Sequence, residues 1–266
     1  MKLKITIISL FIIAILVGCE DSSVVEVQST DTDFIGVQAE LIGGEIFEGV
    51  TIRKPLPFTQ NYSAASAALT DVIAYIKVDS VQVIPLHHAS DGLYKPLYDV
   101  EIKIGSTYEL FARIGDRKFY SITTVPSAPV INKANIQSDN YFTVTITSKP
   151  GIVYGATWAI RLDSSYAKAD DFYEIVKDNS NTFISIRTKT IPDNLIPYVS
   201  NYSRYVQVYA FDRPFLDYFN TKGNNQPIDD YFSQGGGPVS WNVYGDGVFG
   251  LFIGVAASEY VHPDLN

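Results

Sequence analysis

One thiol, three imidazoles and a few adjacent carboxylates are what this chain offers to covalent, metal or acid–base chemistry. The thiol, Cys19, is the only cysteine in 266 residues, so it has no partner within the chain for a disulfide. Two of the histidines, His87 and His88, are adjacent. Neighbouring residues on a strand face opposite ways, so these two are not placed to chelate one metal ion. His262 lies beside Pro263 near the C-terminus and reads as a surface histidine. The acid pairs Asp170-Asp171 and Asp229-Asp230 lie in polar stretches, where adjacent carboxylates are ordinarily solvated charge rather than the opposed pair of a glycosidase. No Gly-x-Ser-x-Gly turn is present for a serine nucleophile. Gly235-Gly236-Gly237 lacks the lysine and the following helix that a phosphate loop requires. Asp178-Asn179-Ser180-Asn181 supplies oxygens but no closing glutamate for calcium. We therefore expect a protein that is not an enzyme and carries no cofactor or metal.

Cys19 is different, because its neighbours specify a reaction. Lys2 and Lys4 precede an uncharged, mostly apolar run from Ile5 to Val17, the layout of a secretory signal. That run is shorter than the ~20 residues a membrane-crossing helix needs. It ends in Leu16-Val17-Gly18-Cys19, and the acids Glu20-Asp21 follow. This resembles the bacterial lipobox, in which the cysteine thiol takes a diacylglycerol and the signal is cut just before it. A lone cysteine in an exported chain calls for an explanation, and lipidation supplies one. Residues 1–18 are accordingly read as signal peptide and 19–33 as a tether, with a first edge strand expected at Val24–Gln28.

Loss of residues 1–18 removes Lys2 and Lys4 and no acid, moving the net charge from −9 to −11. Such a surface repels phosphate backbones, so nucleic acid is not an expected partner. Tyr, Ile, Val and Thr recur in short alternating runs, which favours strands. Phe34–Ile42 and Glu45–Arg53 flank Gly43-Gly44, a spacer that suggests a tight hairpin. Residues 61–69 read as a loop or short helix. Asp71–Val78, Val81–Leu86, Tyr94–Ile104, Tyr108–Ile114 and Lys118–Val125 follow, parted by turn signals at Asp79-Ser80, Gly105-Ser106 and Gly115-Asp116. This spacing predicts an immunoglobulin-like β-sandwich over 34–125.

Pro126-Ser127-Ala128-Pro129 reads as a stiff connector, and a second β-rich domain is expected over 126–266, the alternative being one continuous β-structure that fuses both halves. Its strands are Tyr141–Ser148, Val153–Leu162, Thr182–Lys189 and Tyr205–Phe211. Residues 163–181 are charged and read as an excursion outside the core. A helix is expected near Asp212–Lys222, capped by Asp212 with Pro214 in its first turn. Val239–Tyr244 and Val248–Ala257 then suggest a last hairpin. Tyr198, Tyr202 and Tyr205 cluster in sequence and form a candidate interaction face, with Tyr218, Tyr231 and Tyr244 nearby, since tyrosine joins apolar area to a polar tip.

Tyr205–Tyr209, the helix from Phe215 to Thr221, Gly237-Pro238-Val239 and Gly245-Asp246-Gly247-Val248-Phe249-Gly250 occur in this order. With the lipobox and Gly105-Ser106-Thr107-Tyr108-Glu109-Leu110, the pattern resembles the Bacteroidota lipoproteins catalogued as domain of unknown function 4249. The resemblance implies an outer-membrane lipoprotein, held by its lipid and exposed at the cell surface. Its implied partner is a TonB-dependent β-barrel receptor that it serves as an accessory in transport. A structural subunit of a larger outer-membrane assembly or secretion complex is the alternative. Asp79-Ser80-Val81 also resembles the short O-glycosylation acceptor of these bacteria, making Ser80 a candidate acceptor.

Overall fold

A computed structural model describes residues 34–56, 61–162, 165–177, 183–196, 203–223 and 238–263. The protein is mainly β, as the sequence predicts, with sixteen strands and two short helices among the described residues. Two cores arise in turn along the chain. The first is built from β1 (Ile35–Ile42), β2 (Val50–Arg53), β3 (Ile73–Val78), β4 (Gln82–Ser90), β5 (Leu93–Lys95), β6 (Thr107–Ile114) and β7 (Arg117–Thr124). A single helical turn, α1 (Ala64–Ala67), lies between β2 and β3 and is capped by the Ser63 hydroxyl.

Alternation decides which side chains enter this core. Val72, Ala74, Ile76 and Val78 are buried, while Ile73, Tyr75 and Lys77 take the other face. Leu110 of β6, Phe119 of β7 and Ile84 of β4 meet them. Tyr94 is buried and still satisfies its hydroxyl, donating to the Leu69 carbonyl at 2.8 Å and accepting from the Val72 N–H at 3.0 Å.

The Gly43-Gly44 turn forms, but no two-residue hairpin follows it. The N–H groups of Gly44 and Phe47 donate to the carbonyls of Ile102 and Val100, each at 2.8 Å. Only from Val50 does the chain rejoin β1, with Gln38 opposite Thr51. The detour occupies the carbonyls of the irregular segment after β5, where a longer strand to Ile104 is expected from the sequence.

The largest departure concerns the chain's end. β15 (Val243–Tyr244) and β16 (Val248–Ala257) do not form a hairpin. β15 pairs with β7, whereas β16 lies parallel to β1 along its length, from Ile35 opposite Val248 to Ile42 opposite Val255. In place of a hairpin ladder, the Asn242 side chain bridges the two segments: its Nδ2 donates to the Phe252 carbonyl and its Oδ1 accepts from the Phe252 N–H. Phe252 and Val243 belong to the first core. The sandwich predicted over 34–125 is therefore completed by strands from the far end of the chain. Two glycines permit this approach. A Cβ on Gly250, whose φ is +156°, would lie 1.9 Å from the Val37 carbonyl oxygen, and one on Gly254 would lie 2.6 Å from that of Thr124.

The second core packs β10 (Val153–Leu162) and β14 (Arg204–Phe211) against a three-stranded sheet ordered β13 (Phe183–Arg187), β9 (Phe142–Thr147), β8 (Val130–Ile136). Residues Tyr209–Phe211 of β14 pair with Val255–Ala257 of β16, and Ile253 and Val255 join Val153, Ile175 and Phe211 in a third, smaller cluster against which Phe215, Leu216 and Phe219 pack. The charged region after β10 is more than an excursion. It contains β11 (Ser165–Lys168) and β12 (Val176–Lys177), which both pair with β10. Between them Phe172 makes edge contacts with Tyr209, Phe211 and Phe215 at 5.4–6.1 Å.

The predicted helix is present as α2 (Pro214–Thr221), but Asp212 is not its cap. Arg213 holds that position, in helical conformation and without a side-chain bond. One oxygen of the Asp212 carboxylate is committed elsewhere, accepting from the Thr123 hydroxyl and the Thr124 N–H at 2.9 Å each, while the other accepts from the Arg213 N–H at 2.8 Å. It clamps the helix start to β7. The expected strand at Val24–Gln28 lies outside the described residues.

Candidate functional site

The residue on which the sequence places most chemistry, Cys19, lies outside the described residues, as do Tyr198, Tyr202 and Tyr231. Asp178–Asn181, Asp229-Asp230 and Gly235–Gly237 do so too. Ser80 is described. It sits at the tip of the β3–β4 turn, where Asp79 and Ser80 take φ values of +50° and +57° and the Val81 N–H donates to the Val78 carbonyl at 3.0 Å. Aspartate tolerates this left-handed region better than most residues, and serine is the less usual occupant. The turn is held from its flank: the Ser80 hydroxyl donates to Glu109 Oε1 at 2.6 Å. The Asp79 carboxylate accepts from the Thr107 N–H at 2.8 Å and the Ser106 hydroxyl at 2.9 Å.

These bonds, the Thr107 amide first and the Ser106 hydroxyl second, hold the Asp79 carboxyl below its ordinary value, with Lys103 adding to the effect. A carboxyl depressed in the folded state stabilises the fold above its unfolded pKa of about 4, and that contribution is lost as pH falls through the lower folded value. Asp79→Asn should therefore destabilise the protein at neutral pH and flatten the acid limb of its stability profile. Urea midpoints measured from pH 7 down to pH 2 on both proteins check this. Equal slopes would contradict it.

Ser80 is exposed, as a glycan acceptor must be, and its hydroxyl would have to leave Glu109 to carry a sugar. If the native chain carries a sugar there, Ser80→Ala removes the corresponding mass increment from the intact protein while leaving the fold in place. A wild-type mass equal to that of the unmodified polypeptide and lipid would dismiss the assignment.

Tyr205 lies half-buried on β14, its ring 4.0 Å from that of His262 and 6.2 Å from that of Tyr260. Tyr218 instead faces Trp241 at 5.3 Å, and Tyr244 faces Tyr120 at 5.4 Å. Of the six tyrosines grouped by sequence, the three that are described thus contribute to separate ring clusters. His87 and His88 are both exposed on β4, and the His88 ring lies 5.4 Å from that of Tyr94. Asp170 pairs with Lys189 at 2.8 Å, which lowers its carboxyl pKa, and Asp171 pairs with Lys222. Both members of that acid pair are thus tied to lysines on other segments.

Two open grooves mark the first sandwich. One of about 400 Å³ is lined by Glu40, Glu45, Glu48, Gln38 and Thr51. The other, of about 200 Å³, lies between Tyr98, Glu101, Lys103 and Gln82. Among the described residues, no three His, Cys, Asp or Glu side chains converge as metal ligands. No described helix is long and apolar enough to cross a membrane.

No family model matches the sequence, and no curated protein matches it. Two solved structures, described as cytokine receptor complexes in crystal forms 2 and 1A, each overlay on 67% of this chain. They cover 92% and 85% of their own chains at 11% and 12% identity, with TM-scores of 0.26 and 0.24. Overlays this loose carry no argument about function.

Proposed function

We propose that this chain is an outer-membrane lipoprotein, anchored through Cys19 and exposed at the cell surface. In this reading it is a non-enzymatic binding or accessory module for a TonB-dependent transporter. The observation that carries the reading is Leu16-Val17-Gly18-Cys19 at the end of an uncharged run behind two lysines. Its support is the arrangement downstream, where a β-rich unit begins at residue 34, after the polar residues 20–33. Those fourteen residues reach at most about 50 Å when extended. An anchor on so short a leash keeps the β unit at high local concentration beside any barrel in the same membrane, so a modest contact area suffices for association.

The test is a pull-down of the tagged lipoprotein from membranes solubilised in mild detergent, with identification of what co-purifies. Recovery of a TonB-dependent barrel near equal stoichiometry is the expected result. Recovery of the lipoprotein alone, at native abundance, would overturn the transport reading.

A further inference from the structure

The outer face of the sheet β4-β3-β6-β7-β15 carries what a solvent-facing sheet ordinarily lacks. Strand register places Pro85, Tyr75, Phe111, Tyr120 and Tyr244 in one row across five strands. Tyr75 and Phe111 stack at 5.2 Å, and Tyr120 and Tyr244 lie 5.4 Å apart. The next row sets Val83, Lys77, Glu109 and Ile122 side by side, and the row on the far side brings Ile73, Arg113 and Lys118 together. Tyr120, Ile122 and Tyr244 are 53%, 51% and 50% exposed. No described segment covers them. Contiguous exposed apolar area of this kind marks an interaction surface.

Charge and connectivity indicate what covers the face. In a chain of net charge −9, this face presents Lys77, Arg113 and Lys118 against one acid, Glu109, which is already engaged by the Ser80 hydroxyl. Asp79, Asp116 and Asp246 lie in the bordering turns and Asp71 just before β3, and the Asp79 carboxylate is turned to Ser106 and Thr107. The described chain also begins at the margin of this surface. The Ile35 N–H donates to the Gly247 carbonyl at 2.8 Å. In the same turn, Gly245 is so close to Lys118 that an added Cβ would come within 2.9 Å of its carbonyl oxygen. The first described residues thus lie beside the basic end of the aromatic row.

We propose that this face docks on anionic phospholipid headgroups. The tyrosines and Ile122 would sit at the interface, as aromatic belts do, with Arg113, Lys118 and Lys77 meeting lipid phosphates. The inference rests on the lipid-anchor reading for its biological setting, and it adds an orientation: the β unit lies with this sheet down.

The test uses the chain from Glu20, without signal or thiol, so its outcome is independent of whether Cys19 is acylated. Co-sedimentation is measured with vesicles of phosphatidylethanolamine and phosphatidylglycerol. Comparison is with Arg113→Glu/Lys118→Glu and with Tyr120→Ser/Ile122→Ser, which alter only outward-facing side chains. Wild type should bind, and the charge variant should lose roughly tenfold or more of its affinity, given what each basic residue contributes near an anionic surface. The apolar variant should weaken binding with its salt dependence intact, and phosphatidylcholine vesicles should bind least. Equal binding by all three proteins would overturn the proposal, as would no sedimentation of the wild type. So would a wild-type dimer that Tyr120→Ser/Ile122→Ser converts to monomer, since a second copy would then own the face.

Discussion

A chain ended after Gly223 is expected not to fold, although it retains the first predicted domain whole and the second up to the end of its helix. The cut removes β15 and β16, and with them the parallel partner of all eight residues of β1. It also removes Phe252 and Val243 from the first core, and Ile253 and Val255 from the smaller cluster against which Phe215, Leu216 and Phe219 of α2 pack. Truncating one buried phenylalanine to alanine costs about 3–5 kcal/mol, and whole domains are stable by only about 5–15 kcal/mol. Losing the strand outright exceeds that margin. Residues 34–129 produced alone should fail for the same reason. Circular dichroism during urea titration checks both: a broad, non-cooperative loss of signal is the expected result. A monomeric truncated chain with a sharp transition would show that β16 is an addition rather than a component. Gly254→Val is the point version of this test, because its new side chain would press on Thr124 and Val125 at a backbone conformation open to any residue.

How much of this was legible in the sequence depended on the range over which each feature is decided. β3, β6, β7 and β9 show clean alternation, one face buried and the other not, and local pattern suffices for those. β16 was legible as a strand but not as a partner of β1. Its residues Phe252 to Ala256 are buried on both faces, so it reads as a continuous apolar run that names no neighbour. β8 escaped notice because Val-Ile-Asn-Lys-Ala-Asn-Ile buries only Ala134 fully, which is what an edge strand requires. Asp212 looked like a helix cap because aspartate is a preferred cap and Pro214, two residues on, suits a first turn. A clamp to Thr123 and Thr124, nearly ninety positions upstream, leaves no local trace.

The candidate site divides in the same way. The Asp79-Ser80 turn was visible from two polar residues between alternating runs. The aromatic row on the outer face was half visible, since Ile73 and Tyr75 make the second face of β3 apolar as well. That Phe111, Tyr120 and Tyr244 line up beside Tyr75 follows only from strand register.

Cys19→Ala is expected to have the largest effect on location, moving the protein from the membrane pellet to the soluble fraction. With ~0.8 kcal/mol for each buried methylene, one acyl chain binds reversibly, while two or three hold a protein in place. No described helix can substitute for them, and a high-salt wash of the membranes screens the proposed headgroup contact. Fractionation by ultracentrifugation reads this directly. Because the β unit lies wholly beyond residue 32, the variant should keep the wild-type urea midpoint. Loss of attachment with unchanged stability separates an anchoring cysteine from a structural one.

Incorporation of radiolabelled palmitate is the most direct measurement of all, since membrane location and barrel contact both presuppose a lipid bonded to the thiol at position 19. Label in the wild-type band and none in Cys19→Ala is the predicted result. A wild-type chain that takes up no label, or a variant labelled to the same extent, would contradict it.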